Sequence, residues 1–186
     1  MHRWGHVGAA LLTYAPVGAA VTTAGDPALA VGGAAVAVAV STLPDADEFL
    51  PLDHRGPTHT VWFVAACALA ASSLGAVAGP AVGRPAALPA VAGVAVGLSL
   101  VSHLLADIVT PMGVRPFYPL SSWHHSLEVT PARNPRANAA LFGLGSAALL
   151  AGHSLEVTPA RNPRANAALF GLGSAALLAG QAVALA

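Results

Sequence analysis

Long runs of apolar residues, separated by short polar connectors, dominate this chain. A helix that crosses the hydrocarbon layer of a bilayer needs about 20 mostly apolar residues, with roughly 17 as the lower limit. The runs are apolar on all sides, which is typical of helices in lipid rather than of amphipathic surface helices. We predict an all-α fold, a polytopic membrane helix bundle with about five spanning helices. The predicted spans are 6–23, 28–43, 59–79, 87–109 and 165–186, with a shorter candidate at 137–152.

Composition supports a membrane environment and limits the possible partners. Charged residues make up 9% of the chain, whereas about a quarter is usual in a soluble domain. The formal net charge is zero, which argues against a nucleic-acid partner because phosphate binding needs a basic surface. P-loop, GxSxG, HExxH and CxxC sequences are absent, so nucleotide hydrolysis, serine hydrolysis, zincin and thiol-redox functions lack support. The expected partner is the lipid bilayer itself.

The C-terminal part of the chain is repetitive. Residues 125–152 recur without change as residues 153–180. Ancient repeats diverge, and solenoid repeats usually need three or more units, so two identical copies indicate a recent tandem duplication or an error in assembling the sequence. We therefore divide the chain into a four-helix membrane core, 1–124, and a duplicated C-terminal segment, 125–186, that ends in the last spanning helix.

Both copies of the repeat can begin a helix. Asn134-Pro135 and Asn162-Pro163 are each typical of an N-cap followed by the first helical residue. Only the second copy continues into a further apolar stretch and reaches a comfortable spanning length. We expect the first copy to remain cytoplasmic or mobile, with 165–186 as the true fifth span.

Arginines predict the orientation of the bundle. Positive charge in short loops marks the cytoplasmic face of a membrane protein. Successive loops lie on alternate sides of the membrane. Arg84 and Asp26 are then on one side, and the five other arginines that precede the second repeat are on the opposite side. These five are Arg3, Arg55, Arg115, Arg133 and Arg136. We expect a multi-pass protein of the inner (cytoplasmic) membrane with a cytoplasmic N-terminus.

Two polar segments meet at the cytoplasmic boundary in this topology. The connector LPDADEFLPLDHRGPTHT at 43–60 holds half of the acidic residues of the chain. The segment SHLLADIVTPMG at 102–113 places His103 and Asp107 four residues apart, on one face of a helix. Each feature has an ordinary structural interpretation: an Asp after Leu-Pro suits a turn or cap, and His103 can simply hydrogen-bond Asp107. A lone histidine such as His6 is more often interfacial than a ligand.

The combination of these residues favours a metal site. Histidine and aspartate together are the ligands of Zn²⁺, Mn²⁺ or a pair of divalent ions. Without a metal, the cluster would bury repelling carboxylates at considerable cost. We predict a divalent metal cofactor, Zn or Mn, held by residues from all four helices of the core: His6, Asp45, Asp47, His59, His103 and Asp107. Glu48 and Asp53 are expected to be solvated loop charges, and Thr58 is placed to cap the third span.

The neighbouring basic residues suggest a reaction. A divalent ion lowers the pKa of a coordinated water and gives a nucleophile at neutral pH. Arg55 could bind an anionic oxygen, because guanidinium suits phosphate. We assign Arg55 to anion binding and His54 to proton transfer, although His54 could equally be a ligand. The pattern predicts hydrolysis of a phosphoester or similar bond at the membrane surface, with a lipid among the candidate substrates.

Four ordered motifs resemble those of the YdjM-like family. They are Gly5-His6, LPDAD at 43–47, HRGPTHT at 54–60 and SHLLADIVTPMG at 102–113, so the resemblance covers roughly residues 1–120. Members are small integral membrane proteins described as metal-dependent hydrolases, and some bacterial members are LexA-regulated. The resemblance implies a metal site and hydrolase activity, with functional candidates at the matching positions: His6, Asp45, Asp47, His54, His59, His103 and Asp107. Thr60 stands where the family motif commonly ends in Ser and keeps the hydroxyl.

Two other functions fit the same residues. Intramembrane carboxylates mark ion routes as readily as active sites, so the cluster could form a cation pathway or a structural metal staple in a transporter-like bundle. The hydrolase is favoured because the cluster lies at one boundary rather than along a path, and because Arg55 beside a transported cation would be unfavourable. In the third alternative, the charges merely anchor a loop.

Overall fold

The computed structural model describes residues 1–154, and this part of the chain is helical without a named strand. The predicted all-α class is confirmed, and the first four predicted apolar runs match helices to within a few residues. The predicted final span, 165–186, lies outside the described residues. The five α-helices are α1 (Arg3–Thr23), α2 (Pro27–Val40), α3 (Val61–Ala78), α4 (Ala87–Ile108) and α5 (Pro135–Ser154).

Three helical segments within residues 1–154 are long and apolar enough to cross a membrane. They are Pro27–Phe49, Val61–Ala78 and Ala87–Ile108. The first combines α2 with a short 3₁₀-helix, Pro44–Phe49. Proline has no backbone N–H to donate, so α2 does not continue regularly through Pro44, where the 3₁₀-helix begins. These segments support a membrane protein, and the count of five spans stays a prediction.

Helices α1 and α4 form the centre of the bundle. Helix α4 packs against α1, α2 and α3, while α1 packs against α2, α4 and α5. Helices α3 and α5 are therefore peripheral, on opposite sides of the central pair. Small residues and aliphatic side chains fill the interior in two groups. The first group is Tyr14, Leu29, Ala34, Ala37, Val91 and Ala95, and the second is Val64, Val96, Leu100 and Leu104.

Tyr14 occupies a space that a glycine on the neighbouring helix leaves open. Its side chain is fully buried, and its hydroxyl donates a hydrogen bond to the carbonyl oxygen of Ala30 at 3.1 Å. A Cβ atom at position 33 would lie 2.0 Å from the Tyr14 hydroxyl oxygen. Gly33 therefore permits α1 and α2 to approach each other around this ring, and the hydrogen bond satisfies a polar group that burial would otherwise leave without a partner.

Helix α5 packs along α1 with backbone contact, which contradicts the expectation of a mobile segment. A Cβ atom at Gly145 would lie 2.2 Å from the Gly8 carbonyl oxygen, and one at Gly8 would lie 2.3 Å from the Leu141 backbone. Near the far end, Gly152 approaches Ala19. The two helices run parallel and touch along most of their length, because small residues in membrane helices allow close approach. The predicted N-cap is confirmed, since Asn134 accepts hydrogen bonds from the first turn of α5.

The connectors at the opposite end of the bundle from His103 are joined by an ion pair. Arg84 donates two hydrogen bonds to the carboxylate of Asp26, the longer at 2.9 Å. The Arg84 guanidinium lowers the pKa of Asp26, and Asp26 in turn raises the pKa of Arg84. Asp26 also caps α2 by accepting a hydrogen bond from the Leu29 N–H. The pair therefore connects the α1–α2 turn to the α3–α4 turn.

Candidate metal centre

The predicted polar residues converge on one end of the bundle. His6 lies in the first turns of α1, Asp45 and Asp47 lie in the 3₁₀-helix after α2, and His59 ends a second 3₁₀-helix, Pro57–His59, immediately before α3. The last two turns of α4 supply the remaining pair, His103 and Asp107. Each polar residue is at a helix end because the middle of each span is apolar, and antiparallel connection of α1 to α4 brings alternate ends together.

Four of these residues form a compact cluster. Ligand atoms of His6, Asp45, His103 and Asp107 all lie within 4.8 Å of one another. The Nε2 atom of His103 is 3.4 Å from Asp45 Oδ1 and 3.5 Å from Asp107 Oδ2, and the Nε2 atom of His6 is 3.5 Å from Asp107 Oδ1. His6, His103 and Asp107 are completely buried, and Asp45 is partly exposed. The cluster is therefore open to its surroundings on the Asp45 side.

His59 faces the same cluster from the loop side. Its Nε2 atom lies 3.6 Å from Asp45 Oδ1, 3.5 Å from Asp107 Oδ2 and 3.3 Å from the Nε2 atom of His103. Burial alone would lower the pKa of His59, but the neighbouring carboxylates of Asp107 and Asp45 raise it above its usual value. The two carboxylates thus favour positive charge at the place where the imidazoles meet.

The hydrogen bonds of the outer ring nitrogens orient both imidazoles. The Nδ1 atom of His103 is 2.7 Å from the Ser41 carbonyl oxygen and must donate its proton there. The Nδ1 atom of His59 is 3.3 Å from Asp47 Oδ2 and 3.1 Å from the Thr58 hydroxyl. In this tautomer each Nε2 atom carries a lone pair directed at the other ring and at the carboxylates. Histidine ligands of metals commonly donate their second N–H to a carboxylate or backbone carbonyl in this way.

A divalent cation fits this donor set. Two imidazole lone pairs only 3.3 Å apart, beside two carboxylates, repel one another unless a proton or a metal cation lies between them. Within residues 1–154, the buried Nδ1 atom of His6 has no hydrogen-bond partner. The buried Oδ2 atom of Asp107 has none with hydrogen-bond geometry, although the Nε2 atoms of His59 and His103 each lie 3.5 Å away. Buried polar atoms in proteins are nearly always partnered. Nitrogen and carboxylate oxygen ligands suit Zn²⁺ or Mn²⁺. The cluster therefore has donors that could hold a metal ion, and the identity of the metal stays a prediction.

Asp47 lies beside the cluster, with its carboxylate already engaged by the protein. Its Oδ2 atom accepts hydrogen bonds from the Arg55 backbone N–H at 2.8 Å and from the Thr58 hydroxyl at 3.0 Å. Its Oδ1 atom is 3.0 Å from the Nδ1 atom of His54. These contacts and the proximity of His59 Nδ1 place Asp47 behind the histidine rather than among the four clustered ligand atoms.

Arg55 is buried and connected to the cluster through Asp107. Its Nη2 atom lies 2.9 Å from Asp107 Oδ1, and its Nη1 atom donates to the Thr110 hydroxyl at 3.2 Å and to the Gly113 carbonyl oxygen at 2.8 Å. Its Nε atom is buried without a partner in the described part of the chain. The backbone of Arg55 has a φ of 56°, an uncommon conformation for a residue with a side chain. This conformation directs its N–H to Asp47 and its side chain inward.

His54 is at the rim of the site. Its side chain is 39% exposed, and its Nδ1 atom contacts Asp47. Its ring lies edge-on to His59, with 6.0 Å between the ring centroids. Among the described residues, His54 is thus the predicted site residue with the best access to solvent. Glu48 and Asp53 are exposed, as predicted.

The amino group of Met1 also contacts the cluster. It forms an ion pair with Asp107, and the Met1 carbonyl oxygen is 2.9 Å from the Nε2 atom of His6. The start of α1 is therefore held against the end of α4.

Comparison with known proteins agrees with the geometry. The model of the YdjM inner membrane protein family matches residues 1–185. The chain belongs to this family. The match includes the repeated C-terminal segment, which carries none of the four motifs found in residues 1–120. Neither the curated proteins nor the solved structures contain a match.

One expectation about the YdjM family motif HRGPTHT is corrected by the structure. Thr60, not Thr58, caps α3, because the Thr60 hydroxyl accepts a hydrogen bond from the Phe63 N–H at 3.2 Å. A Ser at this position of the motif would retain the hydroxyl needed for the cap. The Thr58 hydroxyl instead donates to Asp47. Both threonines therefore hold the segment that carries His59.

Three groups near the site were not identified from the sequence. The Ser41 carbonyl oxygen accepts a hydrogen bond from His103 Nδ1. The Thr110 hydroxyl and the Gly113 carbonyl oxygen accept hydrogen bonds from Arg55. Backbone carbonyls carry no sequence signal. Thr110 and Gly113 belong to the motif SHLLADIVTPMG, and their position in this motif was the only sequence signal that they lie near the site. A Cβ atom at Gly113, which has a φ of 57°, would lie 2.3 Å from the His125 carbonyl oxygen.

Proposed function

We propose that this YdjM family protein is a membrane-embedded, metal-dependent hydrolase that acts on a phosphoester or similar bond at the cytoplasmic membrane surface. The observation that carries the proposal is the set of four ligand atoms, from three separate parts of the chain, within 4.8 Å of one another at one end of the bundle. We assign a Zn²⁺ or Mn²⁺ ion to His6, Asp45, His103 and Asp107, with His59 as a further ligand.

The residues around the cluster have distinct roles in this proposal. A divalent ion, when bound, supplies a Lewis acid and activates water at neutral pH. Asp47 orients His59 through Nδ1 and so directs Nε2 toward the centre. His54, exposed and hydrogen-bonded to Asp47, exchanges a proton with solvent during hydrolysis. Arg55 fixes Asp107 and offers its unpaired Nε–H to an anionic oxygen of the substrate.

The interior of the bundle supports hydrolysis over cation transport. Beyond His103, toward the Asp26–Arg84 end, α4 buries Leu100, Val96 and Ala95, and the hydroxyls of its buried Ser99 and Ser102 donate to backbone carbonyl oxygens. Such an interior contains few ligands for a dehydrated ion to move along. The ionisable residues are concentrated at one end instead, where Asp45 is partly accessible.

A paired measurement of metal content and turnover tests the proposal. The purified protein is expected to hold a stoichiometric divalent metal by elemental analysis, and His103→Ala/Asp107→Ala is expected to hold none. With metal, the protein should hydrolyse members of a phosphoester panel that includes lipid phosphoesters and water-soluble ones, and the double variant should not. His124→Ala is the matched control, because His124 is exposed and, within residues 1–154, its ring makes a single hydrogen bond, to the Met112 carbonyl oxygen.

The outcomes separate the alternatives. Equal, negligible metal in the protein and in the double variant would remove the basis of the metal site. Metal binding with ion flux in vesicles, and no turnover on the panel, would establish the transporter instead. Turnover on lipid phosphoesters alone would identify the membrane as the source of the substrate.

A further inference from the structure

The face of α1 that contacts α5 is complementary in shape to a helix with small residues at particular positions. We define the α5-binding face as the α1 positions that approach α5, namely Gly5, Gly8, Leu11, Ala15 and Ala19. In the first half of α1 the contact is backbone on backbone, since Cβ atoms at Gly8 and Gly145 would each collide with the facing main chain. Further along, a Cβ atom at Gly152 would lie 3.3 Å from Ala19 Cβ. A partner helix must therefore present small residues at matching positions.

Polar contacts add specificity at the beginning of this face. The side-chain oxygen of Asn138 accepts a hydrogen bond from the His2 N–H at 3.1 Å. A Cβ atom at Gly5 would lie only 2.2 Å from the same oxygen. The Asn138 amide donates to the carbonyl oxygens of Ala132 and Asn134. The partner must thus present an asparagine one turn after its helix cap, next to the segment that carries His6.

The sequence contains a second segment with these features. Residues 153–180 repeat residues 125–152 without a single difference. Asn166, Leu169, Gly173 and Gly180 stand at the same spacing as Asn138, Leu141, Gly145 and Gly152 of α5. We propose that the α5-binding face of α1 accepts either copy of the repeat within one chain, so that some molecules dock 135–152 and others dock 163–180.

Two physical effects set the balance between the arrangements. The two copies have the same sequence, so either would present the same side chains to α1, and neither would have an advantage in packing there. Docking the second copy about doubles the chain between α4 and the docked helix, which lowers the closure probability about threefold for a flexible connection. The positive-inside tendency acts in the other direction: docking the first copy sends Arg161 and Arg164 to the Arg84 end, and docking the second keeps them at the His6 end. The opposing effects leave both arrangements populated within about tenfold of each other.

Disulfide trapping tests which copy is docked. In a Cys67→Ser background, the pair Ala19→Cys/Gly152→Cys reports the first copy, and Ala19→Cys/Gly180→Cys reports the second. Disulfides need Cβ atoms about 3.5–4.5 Å apart, close to the Ala19–Gly152 separation. Ala19→Cys/Gly143→Cys is the control, because Gly143 has nothing within 4 Å of its Cβ direction.

Both test pairs are expected to give an intrachain disulfide in full-length protein in membranes, with yields within about tenfold of each other, and the control pair is not. A disulfide yield of the Ala19→Cys/Gly180→Cys pair no higher than that of the control pair would overturn the proposal. A disulfide of this pair that forms only between two chains would overturn it as well, since the second copy would then dock on another molecule.

A substitution series gives an independent test. Gly145→Leu blocks docking of the first copy, and the unchanged second copy should replace it, leaving the melting temperature in detergent near that of the parent. Gly145→Leu/Gly173→Leu prevents docking of both copies and should lower the melting temperature. Gly143→Leu/Gly171→Leu is the control and should leave the melting temperature unchanged, because a Cβ atom at Gly143 has nothing within 4 Å. A single Gly145→Leu variant as unstable as the double variant would show that the second copy cannot replace the first.

Discussion

At the level of single residues, Asp45 and Asp47 are one residue apart in sequence and have different surroundings. The Asp45 carboxylate faces His59 and His103, whereas the Asp47 carboxylate is surrounded by donors from His54, Arg55 and Thr58. The 3₁₀ conformation of Pro44–Phe49 separates the two side chains. Asp45 therefore belongs to the cluster of possible metal ligands, and Asp47 holds the loop that carries His59.

We predict that Asp47→Asn weakens metal binding without abolishing it. The amide would present a donor toward the Arg55 N–H or the Thr58 hydroxyl, so His59 would lose its orientation. Removal of such a supporting contact typically lowers metal affinity by about 10–100-fold. Glu48→Gln is the matched control, since Glu48 is adjacent and exposed. Metal titration by calorimetry is the measurement, and equal affinity in Asp47→Asn and Glu48→Gln would contradict the role.

At the level of the helices, glycines determine which faces can meet. Gly33 lies on the buried side of α2 and leaves space for Tyr14, while Gly32 is exposed with nothing within 4 Å of its Cβ direction. The hydrophobic sequence around them does not distinguish the two positions. The contact between α1 and α2 therefore depends on one specific glycine of an adjacent pair.

We predict opposite effects for the two glycines. Gly33→Ala places a methyl group 2.0 Å from the Tyr14 hydroxyl and 2.9 Å from Val91, so the protein should be destabilised by about 1–3 kcal/mol. Gly32→Ala should be neutral or stabilising by up to about 1 kcal/mol, because alanine favours helix. Unfolding in detergent, followed by circular dichroism, compares the two. Equal stability of the two variants would mean that Tyr14 does not pack against α2 as described.

At the level of the whole molecule, the two ends of the bundle differ in the number of arginines that they carry. Five arginines lie at the His6 end, in the connectors and at the starts of α1 and α5: Arg3, Arg55, Arg115, Arg133 and Arg136. At the other end, the carboxylate of Asp26 pairs with Arg84. This asymmetry supports a cytoplasmic location for the candidate metal centre.

We predict the orientation that follows from this asymmetry. A reporter fused after Pro116 should be cytoplasmic, and one inserted near Gly83 should be external, because the arginine-rich end is retained on the cytoplasmic side. Phosphatase and fluorescent-protein reporters with opposite compartment requirements make the measurement. The reverse pattern would place the site on the outer face, where different substrates are available.

The sequence by itself determined the helices and the end of the bundle where the polar residues meet. Apolar runs of spanning length have few alternatives to helix, because lipid offers no partner for backbone groups. Alternating connection then brings His6, His59 and His103 to the same end. The four-residue spacing of His103 and Asp107 predicts that both side chains lie on one face of a helix, and the structure confirms this.

Tertiary structure alone decided how these residues are paired and which faces of the helices meet. The contact of Arg55 with Asp107 and the approach of Asp47 to His59 depend on the path of the loop, including the positive φ of Arg55. The docking of α5 was missed because hydropathy measures affinity for lipid, whereas close packing depends on whether two backbones can touch. Gly8 and Gly145 are distant in sequence, and only their contact shows that they fit each other.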